Sequence, residues 1–301
     1  MSNVHPLHFA VFSFNRGIFL EHCISSLVAC VDNPTITIYD DNSTDGETLN
    51  ALDRLSSHHR VVQPKISANS KHGGLSANMQ LATEECTDPV NLCYVQDDMQ
   101  MVRRLSNSDL QSIDDCLEDP TTAFVHPVFM KGWNRKKDLE RTEYQAATHS
   151  YTRRPDKAGA GIFFADVMIA RPYQLKQAKW TFSSREKTNE LLARQLFGPM
   201  QFLFSPFLMW LPSVPTYRGK QSTLALRIGE KRHQCGFHPI DMMSDSHIEA
   251  LKTRNKDQLP VAEDWLTLSN QTLPDPWVYE PMHGSRSLKW LNRLELTIRK
   301  R

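Results

Sequence analysis

The feature that most constrains the fold is a regular alternation of two kinds of segment over the first hundred residues. Short apolar or β-branched runs occupy residues 8–14, 35–39, 61–62 and 91–95. The stretches between them have the spacing of amphipathic helices, at residues 17–29, 47–55 and 75–83. Strands that alternate with helices form mostly parallel sheets with right-handed crossovers. The sequence therefore predicts an α/β fold, with a Rossmann-like, mostly parallel sheet flanked by helices.

Polar clusters follow three of these strands, at residues 13–16, 40–45 and 96–98. The carboxyl ends of parallel strands share one edge of a sheet, and ligands of open α/β sheets bind there. We therefore expect the three clusters to lie close together. The first strand is followed neither by a Gly-x-Gly-x-x-Gly fingerprint nor by a Walker A loop, so a nucleotide bound here would be held by other groups.

The third cluster contains two adjacent carboxylates, Asp97 and Asp98. Like charges side by side at the end of a buried strand repel unless positive charge lies nearby. A hard divalent cation, Mg²⁺ or Mn²⁺, shared with the phosphates of a substrate is one way to supply that charge. A solvated Asp-Asp turn that ends the strand is the alternative.

Composition excludes several classes of protein. The 301 residues carry 35 Lys and Arg against 34 Asp and Glu, a net charge of +1, so nothing indicates a nucleic-acid partner. No two of the six cysteines form a CxxC pair, which favours buried free thiols over disulfides or zinc. The N-terminal residues lack the pattern of a signal peptide, and the apolar stretch 197–211 is too short and too interrupted to span a membrane. We expect a cytoplasmic protein.

Four motifs together resemble those of a GT-A glycosyltransferase of family 2. The first strand ends in FSFNR and is followed by FLEHCISSL, and the second ends in DDNSTDGETLNAL. GGLSANMQLA and QDDM follow in the order and spacing of that family. A later segment, GIFFADVMIARP at residues 161–172, is similar to the glycine-to-arginine segment before the family's acceptor site.

The resemblance implies an inverting transferase that moves a sugar from a nucleotide-diphospho-sugar, by family default a UDP-sugar, to a hydroxyl of a glycan or lipid-linked acceptor. Such enzymes serve polysaccharide biosynthesis. The resemblance also implies that Ser13, Phe14 and Asn15 surround the nucleotide base. Asp41 would accept a hydrogen bond from the base, with Asp40 close by. For Asn15 an ordinary turn residue is the alternative.

The remaining donor contacts that the resemblance implies lie further along the chain. Asn78, on an exposed side of its helix, would lie near the base or the diphosphate. Asp97 would contact the ribose or the donor sugar, and Asp98 would bind the metal. Gln96 stands where a full Asp-x-Asp motif has its first carboxylate, which leaves few acidic ligands. Asp45 is predicted instead to cap the following helix.

The general base is the least determined part of the resemblance. The family uses an Asp in a Glu-Asp pair, and residues 184–194 contain no such pair. Glu186 and Glu190 are the available carboxylates there, one helical turn apart and so on one face. A solvated face that pairs with neighbouring cations is the alternative for each. Other Glu-Asp pairs occur early, at residues 118–119, and late, at residues 263–264.

The second half of the chain gives coarser predictions. We expect residues 1–220 to form the GT-A domain, with a nucleotide-binding half at 1–100 and an acceptor half at 101–220, and residues 221–301 to form a C-terminal extension. Residues 131–157 look like a long, partly mobile loop that covers the acceptor. Trp180, Trp210 and Tyr217 are suited either to stack on sugars or to fill the core.

The C-terminal tail, residues 287–301, is a basic amphipathic segment. Such a helix can lie on an anionic membrane surface, or dock on its own domain or on a second subunit, and docking is the more common outcome. The sequence does not indicate an oligomeric state.

Two other functions compete with sugar transfer. Nucleotidyl transfer to a sugar phosphate needs a glycine-rich, basic loop after the first strand, which FSFNRG does not provide. A non-catalytic protein that binds a nucleotide-sugar or a glycan on the same scaffold is supported by the missing Glu-Asp pair.

Overall fold

The computed structural model describes residues 4–63, 74–87, 89–156, 161–215, 222–269 and 273–299. The strands are β1 Leu7–Ser13, β2 Thr35–Asp40, β3 Arg60–Val62, β4 Asn91–Gln96, β5 Met99–Met101, β6 Val125–His126, β7 Thr142–Gln145, β8 Ser150–Arg153, β9 Met168–Ala170, β10 Gln201–Leu203 and β11 Leu208–Trp210. The α-helices are α1 Gly17–Cys30, α2 Gly46–Ser56, α3 Leu75–Glu85, α4 Asn107–Leu117, α5 Arg135–Arg141, α6 Pro172–Gln177, α7 Glu186–Leu196, α8 Leu224–Arg232, α9 Asp245–Thr253, α10 Ala262–Trp265 and α11 Arg286–Ile298. The strands and helices predicted for the first hundred residues are confirmed, with ends shifted by a residue or two.

Nine of the described strands form the main sheet, in the order β3-β2-β1-β4-β9-β6-β10-β8-β7. The strands from β3 to β4 are mutually parallel, and β6 is parallel to β10. Only β9 and β8 run antiparallel to both of their neighbours. The predicted α/β fold with a mostly parallel sheet is confirmed. β5 and β11 pair separately as an antiparallel ribbon.

The chain reverses its direction across the sheet at β1. It moves outward from β1 through β2 to β3, and then returns through α3 to β4 on the other side of β1. Such a topological switch point opens a crevice at the carboxyl ends of the two strands that flank it. The crevice between β1 and β4 is therefore where the fold itself favours a ligand.

Side chains of the central strands alternate between two apolar layers, as the two-residue period of a strand dictates. Phe9 and Val11 of β1 pack in the layer that holds Leu20 and Ile24 of α1. Ala10 and Phe12 face the opposite layer, together with Met79 of α3. The sheet thus lies between two helical layers.

In the second half of the chain, residues 131–156 form regular structure, and the C-terminal extension packs on the core. Residues 131–156 are not a long loop, because they form a short 3-10 helix at Gly132–Asn134, α5 and the β7–β8 hairpin that extends the main sheet. The predicted lid is therefore wrong for these residues. Buried side chains of the C-terminal extension share the core of the first layer, among them Ile240, Met243, Leu251, Leu266 and Trp277.

Within the described residues, no helix combines the length and the apolar character that crossing a membrane requires. Residues 197–211 contain β10, β11 and the bend between them, as predicted.

Candidate functional site

The three polar clusters meet at one edge of the sheet. Ser13 pairs with Asp40 across β1 and β2, and Phe12 pairs with Gln96 across β1 and β4. The chains stay together beyond the strand ends, because Asp41 N donates to Ser13 O at 2.9 Å and Asp97 N donates to Phe12 O at 3.0 Å. The predicted convergence is confirmed. With one strand between them, the β2 and β4 clusters lie about 10 Å apart.

Asn15, Asp40 and Asp45 shape the loops of this edge. Asn15 adopts a left-handed backbone (φ 50°), and its Oδ1 accepts from Thr44 N at 2.8 Å. Asp40 is fully buried, and its two oxygens accept from the amide and the hydroxyl of Ser43 at 2.8 and 2.5 Å. Asp45 caps α2 by accepting from Thr48 N, as predicted. These contacts occupy Asn15 and Asp40 with the architecture of the loop.

Asp41 lies at the start of α3. Its Oδ2 accepts from Gly74 N at 2.5 Å, and a Cβ at position 74 would lie only 1.9 Å from its Oδ1. The glycine is therefore required for this approach, although it does not need a left-handed backbone. Gly73, the other glycine of the motif, lies outside the described residues.

Two buried polar side chains beside Asp41 and β1 make no hydrogen bond within the described residues. Asn78 of α3 is 1% exposed, and neither its Nδ2 nor its Oδ1 has a partner. The expectation that Asn78 is exposed is wrong, since α3 packs against β1 and β2 and Asn78 is among its buried residues. The buried Oγ of Ser13 at the end of β1 is also without a partner. A buried polar group without a hydrogen-bond partner lowers the free energy of unfolding, and a bound ligand can supply the missing partner.

Asp97 and Asp98 are bound by an arginine of the first motif. Nη1 of Arg16 lies 3.5 Å from Asp97 Oδ1 and donates to Asp98 Oδ2 at shorter range. Asp97 Oδ2 also accepts from Phe14 N at 3.0 Å. The Oδ1 of Asp98 and the Nε of Arg16 are buried without a hydrogen-bond partner in the described chain.

This arrangement does not fit the predicted metal site. No group of three or more His, Cys, Asp or Glu side chains among the described residues is placed to hold a metal ion. Of the two carboxylates, Asp97 is committed to a backbone amide and a guanidinium, and Asp98 faces the same guanidinium. A cation between them would displace Arg16.

A second cation, Lys131, lies where the sheet edge meets a cavity. Its Nζ is 3.8 Å from the centre of the Trp210 ring and 4.5 Å from that of Tyr279. Burial lowers the pKa of Lys131 to about 8, while the charges of Asp98, Glu280 and Glu186 oppose that fall. The backbone of Asp98 lies beside Trp210 as well, because the next residue, Leu211, donates its N–H to Asp98 O at 2.9 Å.

The cavity beside Lys131 has a volume of about 250 Å³. Its lining combines aromatic rings with both signs of charge, a mixture typical of polar-ligand sites. The lining includes Lys131, Asp138, Arg153, Glu186, Phe202 and Trp210. Of the predicted base candidates, Glu186 alone lines this cavity, and its side chain makes no hydrogen bond or ion pair with the described residues.

Glu190 has a different role. It is 6% exposed, and its carboxylate accepts from the backbone amides of Gly161, Ile162, Phe163 and Phe164 at 3.1–3.3 Å. It therefore fixes the GIFF segment. The late Glu-Asp pair at residues 263–264 also has partners within the chain. Glu263 accepts from Gly132 N and Trp277 N, and Asp264 forms an ion pair with Arg135.

Sequence reasoning did not select Arg16, Lys131 or Asp166. Burial, together with the charge of Glu186, raises the pKa of Asp166 to about 6. The signal for Asp166 was present, because it is the single carboxylate in the apolar segment GIFFADVMIA. Arg16 was within a quoted motif, but only the folded chain shows which carboxylates it meets.

The aromatic residues predicted either to stack on sugars or to fill the core have different positions. Trp210 lines the cavity and supports Lys131, whereas Trp180 is buried among Phe124, Phe164 and Phe182. Tyr217 lies outside the described residues.

No protein-family model matches this chain, and no curated protein matches it in sequence. Among solved structures it is similar to S. aureus TarS 1–349, with 14% identity and a TM-score of 0.44 over 68% of this chain and 60% of that chain. This chain thus spans less than two thirds of that protein fragment.

Two further similar structures were solved with ligands. One is the mannosyltransferase PcManGT from Pyrobaculum calidifontis in complex with GDP-Man and Mn²⁺ (17% identity, TM-score 0.49, 79% of this chain and 67% of that chain). The other is GalNAc-T7 with UDP, GalNAc and Mn²⁺ (13% identity, TM-score 0.48, 77% of this chain and 48% of that chain).

Proposed function

We propose that this chain is a GT-A-type glycosyltransferase that moves a sugar from a nucleotide-diphospho-sugar to a hydroxyl group of an acceptor. The observation that carries the proposal is the position of Lys131. Lys131 lines the cavity together with Glu186, and its ammonium lies 3.8 Å from the centre of the Trp210 ring. The next residue, Leu211, donates its N–H to Asp98 O, so the switch-point edge and the cavity adjoin at this cation.

The donor half of the proposal uses the polar edge. The unpartnered groups of Ser13 and Asn78 lie buried where a nucleoside would find hydrogen-bond partners, with Asp41 beside them. Asn15 and Asp40 hold the loop in shape rather than touch the ligand. Asp97, fixed by Phe14 N, orients the loop that reaches the ribose or the sugar.

The acceptor half uses the cavity. The indole of Trp210 offers a face to a sugar ring, and the charged lining offers hydrogen bonds to its hydroxyls. A volume of about 250 Å³ suits one monosaccharide unit of a glycan or of a lipid-linked acceptor.

The transfer step is a single displacement with inversion at the anomeric carbon. Glu186 takes the proton of the acceptor hydroxyl, whose oxygen forms the new bond to that carbon. The bond from the anomeric carbon to the phosphate oxygen breaks, and its electron pair leaves with the nucleoside diphosphate. Positive charge near the diphosphate stabilises this departure.

Donor turnover tests the proposal. UDP-, GDP-, CDP- and dTDP-sugars are incubated with the protein, with and without simple glycan acceptors, and nucleoside diphosphate release is followed by chromatography. We expect release from one donor class, falling at least about 100-fold in Glu186→Gln. Glu140→Gln, an exposed carboxylate on α5, is the control. Binding of a donor without any release would instead support the non-catalytic binding protein.

We also propose that α11 contacts an anionic membrane surface. It docks on α8 through polar contacts, with Glu295 accepting from Leu224 N at 2.8 Å, yet none of its own side chains is buried. Trp290 (62%) and Ile298 (64%) are among the most exposed large apolar residues described. Basic side chains accompany them, namely Arg286, Lys289, Arg293 and Arg299. An apolar stripe flanked by basic residues suits an interface with anionic lipid.

Vesicle co-sedimentation tests the membrane contact. We expect binding to phosphatidylcholine vesicles that contain phosphatidylglycerol, and little binding to phosphatidylcholine alone. Trp290→Ser should weaken it, and Leu139→Ser, which removes another exposed apolar side chain (56%), should not. Equal binding of the two variants, or none by the parent protein, would contradict the proposal.

A further inference from the structure

Asp97 and Asp98, the carboxylates that follow β4, are paired with a cation of the chain itself, Arg16. The side chain of Arg16 is only 9% exposed, and its Nη1 contacts both Asp97 and Asp98. Nη2 donates to Pro215 O at 3.4 Å, which holds the guanidinium from the other side. Arg16 thus occupies the position between the two carboxylates that a bridging metal ion would need.

Lys131 adds a second positive charge on the cavity side. Aromatic faces hold its ammonium at 3.8 and 4.5 Å, and these contacts leave its N–H donors unused. Within the described residues, the ammonium of Lys131 has no hydrogen bond or ion pair. An ammonium that lines a cavity with its donors unused is suited to bind an anion.

The two cations disfavour a divalent ion in the same place. A divalent ion between the two carboxylates would have to break the contacts of Arg16 with Asp97 and Asp98, and Lys131 would repel it. A diphosphate is attracted by both cations, while Arg16 compensates the repulsion from the two carboxylates, and it leaves those contacts in place.

We propose that Arg16 and Lys131 take the place of a divalent cation, so that the diphosphate of the donor binds against them without metal. This inference rests on the proposed nucleotide-sugar site. During transfer, the electron pair of the broken bond moves to the phosphate oxygen, where the guanidinium and the ammonium stabilise the charge. No proton transfer from either cation is required.

Equilibrium binding with and without metal tests the inference. The probes are UDP, GDP, CDP, dTDP and inorganic pyrophosphate, measured by calorimetry in EDTA and again with Mn²⁺. We expect one nucleoside diphosphate to bind in EDTA, with affinity changed less than about threefold by Mn²⁺. Arg16→Met and Lys131→Met should each weaken it at least tenfold. Arg54→Met and Lys231→Met are controls on exposed cations.

The variant Asp98→Asn tests whether this carboxylate is a partner of Arg16 or a metal ligand. If Arg16 is the cation, this variant frees the guanidinium and binds the nucleotide in EDTA at least as tightly as the parent protein. If Asp98 is a metal ligand, the variant loses a binding that required Mn²⁺. The double variant Arg16→Met with Asp98→Asn removes both charges together, so it tests the loss of Arg16 without leaving a buried carboxylate unpaired.

The outcomes distinguish this inference from the proposed function. Binding that appears only with Mn²⁺ and disappears in Asp98→Asn overturns the inference and leaves the nucleotide-sugar site standing. Binding in EDTA that neither Arg16→Met nor Lys131→Met changes also overturns it. If no nucleoside diphosphate or nucleotide-sugar binds in either buffer, the proposed function fails, and the inference fails with it.

Discussion

Nη1 of Arg16 donates to Oδ2 of Asp98, and this contact joins the loop after β1 to the end of β4. The two strands flank the topological switch point, so the pair lies in the crevice that the fold opens to ligands. Adjacent carboxylates at such a position need positive charge, which the sequence predicted as a metal ion. The folded chain provides it instead from a residue that is distant in sequence.

Asn78 provides a test that separates ligand binding from stability. Its buried amide lacks partners, so replacement by an apolar side chain of similar size removes a desolvation cost. We expect Asn78→Leu to unfold at the same or a higher temperature than the parent protein, while the shift induced by a nucleotide-sugar is lost.

Asn189→Leu is the matched control for Asn78→Leu. The side chain of Asn189 is also buried, but it accepts from Ser183 N at 2.7 Å and donates to Ser183 O at 3.0 Å. We expect this variant to lose about 1–3 kcal/mol of stability and to keep its nucleotide response. A stability loss in Asn78→Leu equal to that of the control would argue for a structural role.

Gly74→Ala tests the contact between the start of α3 and Asp41. The added Cβ would lie 1.9 Å from Asp41 Oδ1, so the carboxylate must move away from the nucleotide edge. We expect donor affinity, measured by calorimetry, to fall at least about tenfold, because a hydrogen bond to a charged group contributes about 1.5–3 kcal/mol. Gly46→Ala, where nothing lies within 4 Å of the added atom, should bind normally.

Substitution of Glu190 should lower the stability of the protein much more than substitution of Glu186. Glu190 accepts four backbone amides of the GIFF segment, whereas Glu186 is exposed on the cavity. We expect Glu190→Gln to lower the free energy of unfolding by at least about 2 kcal/mol, measured by urea denaturation, since buried amides lose a charged acceptor. Glu186→Gln should leave it unchanged within about 0.5 kcal/mol. Comparable losses in the two variants would mean that Glu186 is structural as well.

Asp166 should make stability depend on pH. Its folded-state pKa, raised to about 6 from 3.8, means that the folded protein binds more protons than the unfolded chain between those values. The free energy of unfolding therefore falls as pH rises through this window. We expect Asp166→Asn to be more stable than the parent protein above about pH 6, by at most about 3 kcal/mol, and to lose that advantage below about pH 4.

The measurement for Asp166 is urea denaturation of both proteins across that window. An advantage of Asp166→Asn that does not vary with pH would show that burial of charge is not its cause. If the variant is more stable above pH 6 and yet turns over the donor more slowly, the carboxylate serves the reaction beside Glu186 at a cost in stability.

The first half of the fold was predictable because each element there carries a local pattern. The apolar period of β1, the helical spacing of α1 and the polar residues after each strand all agree, and parallel topology then brings the clusters to one edge. The burial of Asn78 was missed because its polar type suggested an exposed face, whereas α3 packs that face on the sheet.

The rest of the site depends on contacts between residues distant in sequence. The choice between Glu186 and Glu190 needed the four amides of the GIFF segment, which only folding brings to Glu190. Lys131 depends on Trp210 and on Tyr279 from the C-terminal extension. The short strands β7 and β8 carry too little apolar alternation to identify them against a charged loop, so the predicted lid was wrong.

Binding of a nucleotide-diphospho-sugar at the carboxyl edge of β1 and β4 underlies both proposals for this site. Thermal unfolding with UDP-, GDP-, CDP- and dTDP-sugars tests this binding, because a ligand at about 100 times its Kd stabilises the folded state by about 2.7 kcal/mol. We predict that one donor class raises the melting temperature by several degrees in the parent protein, and that Gly74→Ala and Arg16→Met each reduce the rise to about half or less. No rise with any of the four donors, with or without Mn²⁺, would contradict the account.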